Sequence, residues 1–142
     1  MTVRYCKTIT GCEHQTIRKT ISEMMACIKE CTELDKENEY EFCLILNELI
    51  ANGTIHGNKG LCTKSITAKI ESVDNNVIRI TIKDEGAGFN YKEIFRAICQ
   101  KKCDCYSERG RGLRLIKAFC YEISFNDIGN EVSILKSVNK PE

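Results

Sequence analysis

The sequence predicts an α/β protein of the α+β kind. It is a two-layer sandwich in which a mixed, mostly antiparallel sheet carries its helices on one face. Three observations predict it. Long segments place apolar residues at three- and four-residue intervals, the period of an amphipathic helix. Shorter segments alternate apolar and polar side chains, the period of a strand. The segments follow the order β-α-α-β-β-α-α-β-β, with turn residues between paired strands.

Residues 2–10 read as the first strand. A helix follows from about Glu13 to Glu33, with Ile17, Ile21, Met24, Met25 and Ile28 on its apolar face. Thr32-Glu33-Leu34-Asp35 breaks it. A second helix runs from about Lys36 to His56 on Phe42, Ile45, Leu46, Leu49 and Ile50, and Gly57-Asn58-Lys59-Gly60 ends it. Strands over Thr63–Val73 and Val77–Lys83 are joined by the turn Asp74-Asn75-Asn76. A short helix is expected from Tyr91 to about Cys99, then a polar loop over Gln100–Arg109. Another helix is expected from Arg111 to about Phe119. Strands over Glu122–Asn126 and Asn130–Val138 close the chain across Asp127-Ile128-Gly129. No repeat, linker or low-complexity tract divides the 142 residues, so one domain over 1–142 is expected.

A net charge of +1, with the basic residues spread along the chain, argues against general binding to nucleic acid or to membrane surfaces. No apolar run approaches the roughly 18 residues of a membrane span. The N-terminal MTVRYCKTIT has no apolar signal core, so a cytoplasmic location is expected. Ten cysteines in such a chain read mainly as reduced thiols. Cys27, Cys43 and Cys120 fall where the pattern asks for small apolar residues. Cys99, Cys103 and Cys105 lie within seven residues, a spacing open to zinc or a redox switch, but no CxxC and no fourth ligand is evident.

Three stretches carry the chemistry. In the first, Glu48 and Asn52 are four apart on a helix and share a face. Mg²⁺ takes hard oxygen ligands, and an Asn amide oxygen is one. A neighbouring Glu can accept a proton from an attacking hydroxyl. Taken alone, the pair also fits a polar helix face. His56 lies four residues further on and could be a third functional group, although a His near a helix C-terminus is more often a packed or capping residue. In the second stretch, the strand through Ile82 delivers Asp84, followed by Gly86 and Gly88. A buried carboxylate there can accept the exocyclic amine of adenine, although DxGxG alone also makes a turn. The third is Arg109-Gly110-Arg111-Gly112-Leu113, a glycine pair opening a helix. Free N–H groups and the dipole at a helix start favour phosphate, and the two arginines add charge. Neither a P-loop nor a Rossmann fingerprint is present.

In this order, the three stretches resemble the motifs of the GHKL ATPase superfamily. Glu48-x-x-x-Asn52 matches its N box, Asp84-x-Gly86-x-Gly88 its G1 box, and Gly110-x-Gly112-Leu113 its G2 box. Within that group, Glu48-x-x-x-Asn52-x-x-x-His56-Gly57, the run Gly110 to Ile116, and Gly129-Asn130-Glu131-Val132 are most similar to bacterial anti-sigma-factor serine kinases. The resemblance spans about residues 10–138. It implies the Bergerat ATP-binding form of the sandwich, with a flexible lid over about 90–109. It implies Glu48 as catalytic base and Asn52 as ligand of Mg²⁺. ATP would be bound by Asn52, Asp84, Gly86, Gly88, Arg109, Gly110, Arg111, Gly112 and Leu113. The implied activity is transfer of the γ-phosphate to a serine of an anti-anti-sigma (STAS) protein, by a homodimer that also binds a sigma factor. Gly53 stands where the family usually has Ala and should loosen the helix there. The catalytic domain of a sensor histidine kinase is one alternative, although those more often carry Asn where Glu48 stands. His14, the only other histidine, does not sit in a phosphoacceptor motif. A non-catalytic module whose ATP sets a binding conformation is another.

Overall fold

The computed structural model describes residues 1–93, 96 and 108–138, with backbone alone at 108–111. The elements are β1 (Thr2–Thr10), α1 (His14–Cys31), α2 (Lys36–Ala51), a π-helical turn (Asn52–Gly57), β2 (Ser65–Asp74), β3 (Val77–Asp84), α3 (Glu108–Phe119), β4 (Glu122–Phe125) and β5 (Glu131–Ser137). The strands form one sheet in the order β1-β2-β3-β5-β4, and each pairing is antiparallel. The expected sandwich is therefore present, and the described strands pair antiparallel.

Period-2 patterning decides which face of the sheet is covered. Ile66, Ala68 and Ile70 of β2, Ile78, Ile80 and Ile82 of β3, and Ile134 of β5 point to one side and are buried. Ile21, Met24, Met25 and Ile28 of α1, Phe42, Ile45, Leu46, Leu49 and Ile50 of α2, and Leu113 and Ile116 of α3 close over them in one cluster. On the other face the register aligns Thr8, Thr67, Lys83 and Glu131 in a polar row. Asp35 starts α2, its carboxylate accepting Asn38 N–H at 2.7 Å, and Glu37 and Glu39 in the first turn suit the dipole. At the far end of the layer, Lys136 of β5 is buried against Glu41 at 2.6 Å and donates to the Phe119 carbonyl at 3.1 Å. This ties α2, the last turn of α3 and β5 together.

Two expectations are corrected. The second helix was expected to run unbroken to His56, but from Asn52 it winds as a π-turn, with Asn58 N–H bonded to the Gly53 carbonyl at 2.8 Å. Gly53, Thr54, Ile55 and Gly57 all disfavour an α-helix, and the wider turn lays both glycines on the sheet. The helix expected from Arg111 instead includes Glu108, so Gly110 and Gly112 lie inside it. The short helix expected from Tyr91 begins there, with Asn90 accepting Glu93 N–H at 3.3 Å. Most of the expected lid, including Cys99, Cys103 and Cys105, lies outside the described residues. Among the described residues no helix is long and apolar enough to cross a membrane.

Cys27, Cys31, Cys43 and Cys120 pack against the core, whereas Cys6, Cys12 and Cys62 are exposed. Burial pushes the Cys120 thiol up to about 12 and the Cys27 thiol up to about 11. A raised thiol holds less thiolate at pH 8, and thiolate is the reactive form. Iodoacetamide at pH 8 is therefore expected to label Cys6, Cys12 and Cys62 well before Cys27 and Cys120, as read by peptide mass spectrometry. Equal labelling would contradict this packing.

Candidate functional site

The π-turn lies across the end of β3. Asn52 and Asp84 are 8% and 7% exposed, and both line one cavity of about 320 Å³. Its walls are mostly apolar, from Leu49, Ile82, Leu113, Phe89 and Phe125, with Asn130 at the rim. A partly open, mostly apolar pocket with a buried carboxylate in its wall is the arrangement expected of a small-ligand site. The Asp84 carboxylate accepts Gly86 N–H at 2.7 Å. The Asp84 backbone pairs with Asn130, its N–H meeting the Asn130 carbonyl at 2.8 Å and its carbonyl the Asn130 amide at 3.2 Å.

Glu48 does not open into that cavity. It lines a neighbouring groove of about 860 Å³ with Asn52, Ile55, His56, Gly112 and Leu115. Asn52 is shared by both. A Cβ on Gly112 would run into the Glu48 carboxylate and would come 3.7 Å from the Asn52 amide nitrogen. Gly112 therefore lets α3 pack directly on the functional face of α2. This gives a glycine inside a helix its reason, since that placement otherwise weakens the helix.

The other glycines of the motifs act by close approach. A Cβ on Gly57 would land on the Asp84 carboxylate, and one on Gly86 would strike the Gly57 carbonyl. The π-turn and the loop after β3 thus touch backbone to backbone. Gly88 (φ +87°) abuts the Ile128 carbonyl and Gly129 (φ +84°) the Phe89 carbonyl, so the β4–β5 turn is locked onto the same loop. Neither Gly86 nor Gly88 lines the cavity; they shape the loop that holds Asp84. Leu113 lines it directly. Arg109, Gly110 and Arg111 lie in the first turns of α3, and the side chains of Arg109 and Arg111 are outside the described residues.

Sequence reasoning did not single out several residues that the fold brings here. Phe125 stacks on Tyr91 (4.7 Å, 17°) and meets Phe89 edge-on at 5.5 Å, closing the cavity wall. Asn126 accepts the N–H groups of Gly129, Asn130 and Glu131, which shapes the turn behind Asn130. Asn58, read only as part of a helix stop, is 1% exposed and bonded through both its amide oxygen and its amide nitrogen. Its one sequence signal is a side-chain amide just beyond a helix terminus.

The site thus joins a mostly apolar pocket to an acid–amide pair on an α/β sandwich. Residues 13–136 match the family model of the histidine kinase-like ATPase domain, and the chain belongs to that family. Among curated proteins no relative matches it. Membership brings ATP binding and an ATP-dependent kinase or ATPase activity.

Proposed function

We propose that this chain is an anti-sigma factor with protein serine/threonine kinase activity. It phosphorylates a serine of an anti-anti-sigma (STAS) protein and binds a sigma factor in competition with that antagonist. It acts in the cytoplasm, most naturally as a homodimer. The observation that carries the reading is the Glu48 carboxylate in its own groove, beside Asn52 and outside the base cavity. A carboxylate there is placed to receive a proton from a hydroxyl, as a general base must be.

The residues fit the groups the reading requires. Asp84 takes the adenine amine on its buried carboxylate, with Leu49, Ile82 and Leu113 around the ring. Asn52 offers an amide oxygen, a hard donor suited to Mg²⁺, which keeps several waters. Bound there, the metal neutralises phosphate charge. Arg109 and Arg111 fall in the first turns of α3, where free N–H groups and positive charge would suit the phosphates. Glu48 accepts the serine proton as the oxygen attacks the γ-phosphorus, and the bond from that phosphorus to the bridging oxygen of ADP breaks.

Thermal unfolding with Mg-ATP and Mg-GTP tests the nucleotide half. Ligand at 100 times its dissociation constant adds about 2.7 kcal/mol, a rise on the order of 5–10 °C for a chain of this size. The rise is expected with ATP and to vanish in Asp84→Asn. Incubation with γ-labelled ATP and a STAS protein tests the other half, with phosphoserine on the partner as the expected product. ATP binding without any phosphoserine would leave a binding module in place of a kinase.

A further inference from the structure

We propose that Asn58 is a positioning residue for base recognition, setting nucleotide selectivity through the Asp84–Glu85 turn. The inference rests on the reading of Asp84 as the adenine contact and adds a determinant outside the recognised motifs. Asn58 follows the π-turn at once and touches neither cavity. Its side-chain oxygen accepts Glu85 N–H at 2.8 Å, and its side-chain nitrogen donates to the Ser65 carbonyl at 2.9 Å. Its own N–H closes the π-turn on Gly53. One amide therefore joins three segments: the end of the π-turn, the start of β2 and the turn after β3.

That joint decides where the Asp84 carboxylate lies. Gly57, the residue before Asn58, is pressed against the carboxylate, and its carbonyl packs on Gly86. Glu85, the residue after Asp84, is held by Asn58 on one side, while Asn130 holds the Asp84 backbone on the other. The Glu85 side chain repeats the link by accepting Ser65 N–H. Removing the buried Asn58 amide takes away the partner of Glu85 N–H and of the Ser65 carbonyl at a part-buried joint, so the turn shifts toward other partners. A shift there reaches the carboxylate within one peptide unit. The position needs a donor and an acceptor at one reach: Asp supplies only the acceptor, and Ser is too short.

Dissociation constants for Mg-ATP and Mg-GTP, measured by calorimetry on the whole chain, test this. Asp84→Asn is expected to collapse the ATP-over-GTP preference. Asn58→Ala is expected to lower it about tenfold, the worth of roughly one misplaced hydrogen bond. Asn58→Asp keeps the acceptor and is expected to lie nearer the wild type than Asn58→Ala. If Asn58→Ala does not fold, Asn58→Ser takes its place with the same expectation. A lower melting temperature with an unchanged ATP:GTP ratio would mean a merely structural Asn58 and would overturn the proposal. An unchanged ratio in Asp84→Asn would instead overturn the reading of Asp84 itself.

Discussion

Removing the Glu48 carboxylate is expected to slow phosphoryl transfer by about 10²–10⁴-fold, the usual contribution of a positioned base. Because Glu48 lies outside the base cavity, Glu48→Ala should leave ATP affinity within about threefold. A second variant reaches the same carboxylate without deleting it. The Cβ of Gly112→Ala would run into a Glu48 oxygen, the far end of a flexible side chain. The carboxylate swings aside and the fold does not have to move. Replacing a helix-interior glycine by alanine adds about 0.5–1 kcal/mol, so the melting temperature should hold or rise by a few degrees. Gly112→Ala is thus expected to be at least as stable as the wild type and roughly a hundredfold slower in transfer. Rates of phosphoserine formation beside melting scans check both. Wild-type transfer in either variant would remove Glu48 from the role of base.

The helices and strands were legible because each carries one uninterrupted apolar period. Ile66, Ala68 and Ile70 alternate, and Ile21, Met24, Met25 and Ile28 recur on a helical face, and all are buried as that pattern requires. The π-turn was hidden because the apolar face of α2 reaches Ile50, just short of where the winding changes. The poor helix formers from Gly53 to Gly57 signalled a weak helix but not a wider one. The start of α3 misled for a related reason. Glycines read as a helix boundary until a partner explains them, and the partner, Glu48, is distant in sequence.

The three motifs named Glu48, Asn52 and Asp84, and the fold brings all three to adjoining concavities. The residues that hold them there were not readable. Asn58, Asn126 and Asn130 stand in turns, where asparagine is common for local reasons alone. Phe89, Tyr91 and Phe125 come together only when the β4–β5 hairpin folds against the loop after β3. Local sequence marks chemistry through residue type and spacing. It does not mark support, which comes from long-range contact.

The same distinction predicts opposite outcomes for two glycines in one turn. Gly57→Ala is expected to lower ATP affinity by about a hundredfold or more, some 2.7 kcal/mol. Its Cβ falls on the Asp84 carboxylate, which is buried and held by Gly86 N–H, so the group has no slack. Either the carboxylate turns away from the cavity, or the π-turn lifts and carries Asn52 with it; each damages the site. At Gly53 a Cβ would meet the Ile66 methyl at 3.1 Å and the Ile82 methyl at 3.4 Å, apolar neighbours that need to give only slightly. Gly53→Ala also gains helix propensity, so its ATP affinity should stay within about threefold of wild type. Calorimetric titration of both variants decides the matter. Equal affinities would mean that the close approach of the π-turn to Asp84 is incidental to nucleotide binding. A loss confined to Gly57→Ala would show that the turn exists to seat that carboxylate, and that a glycine there serves the ligand through its lack of a side chain.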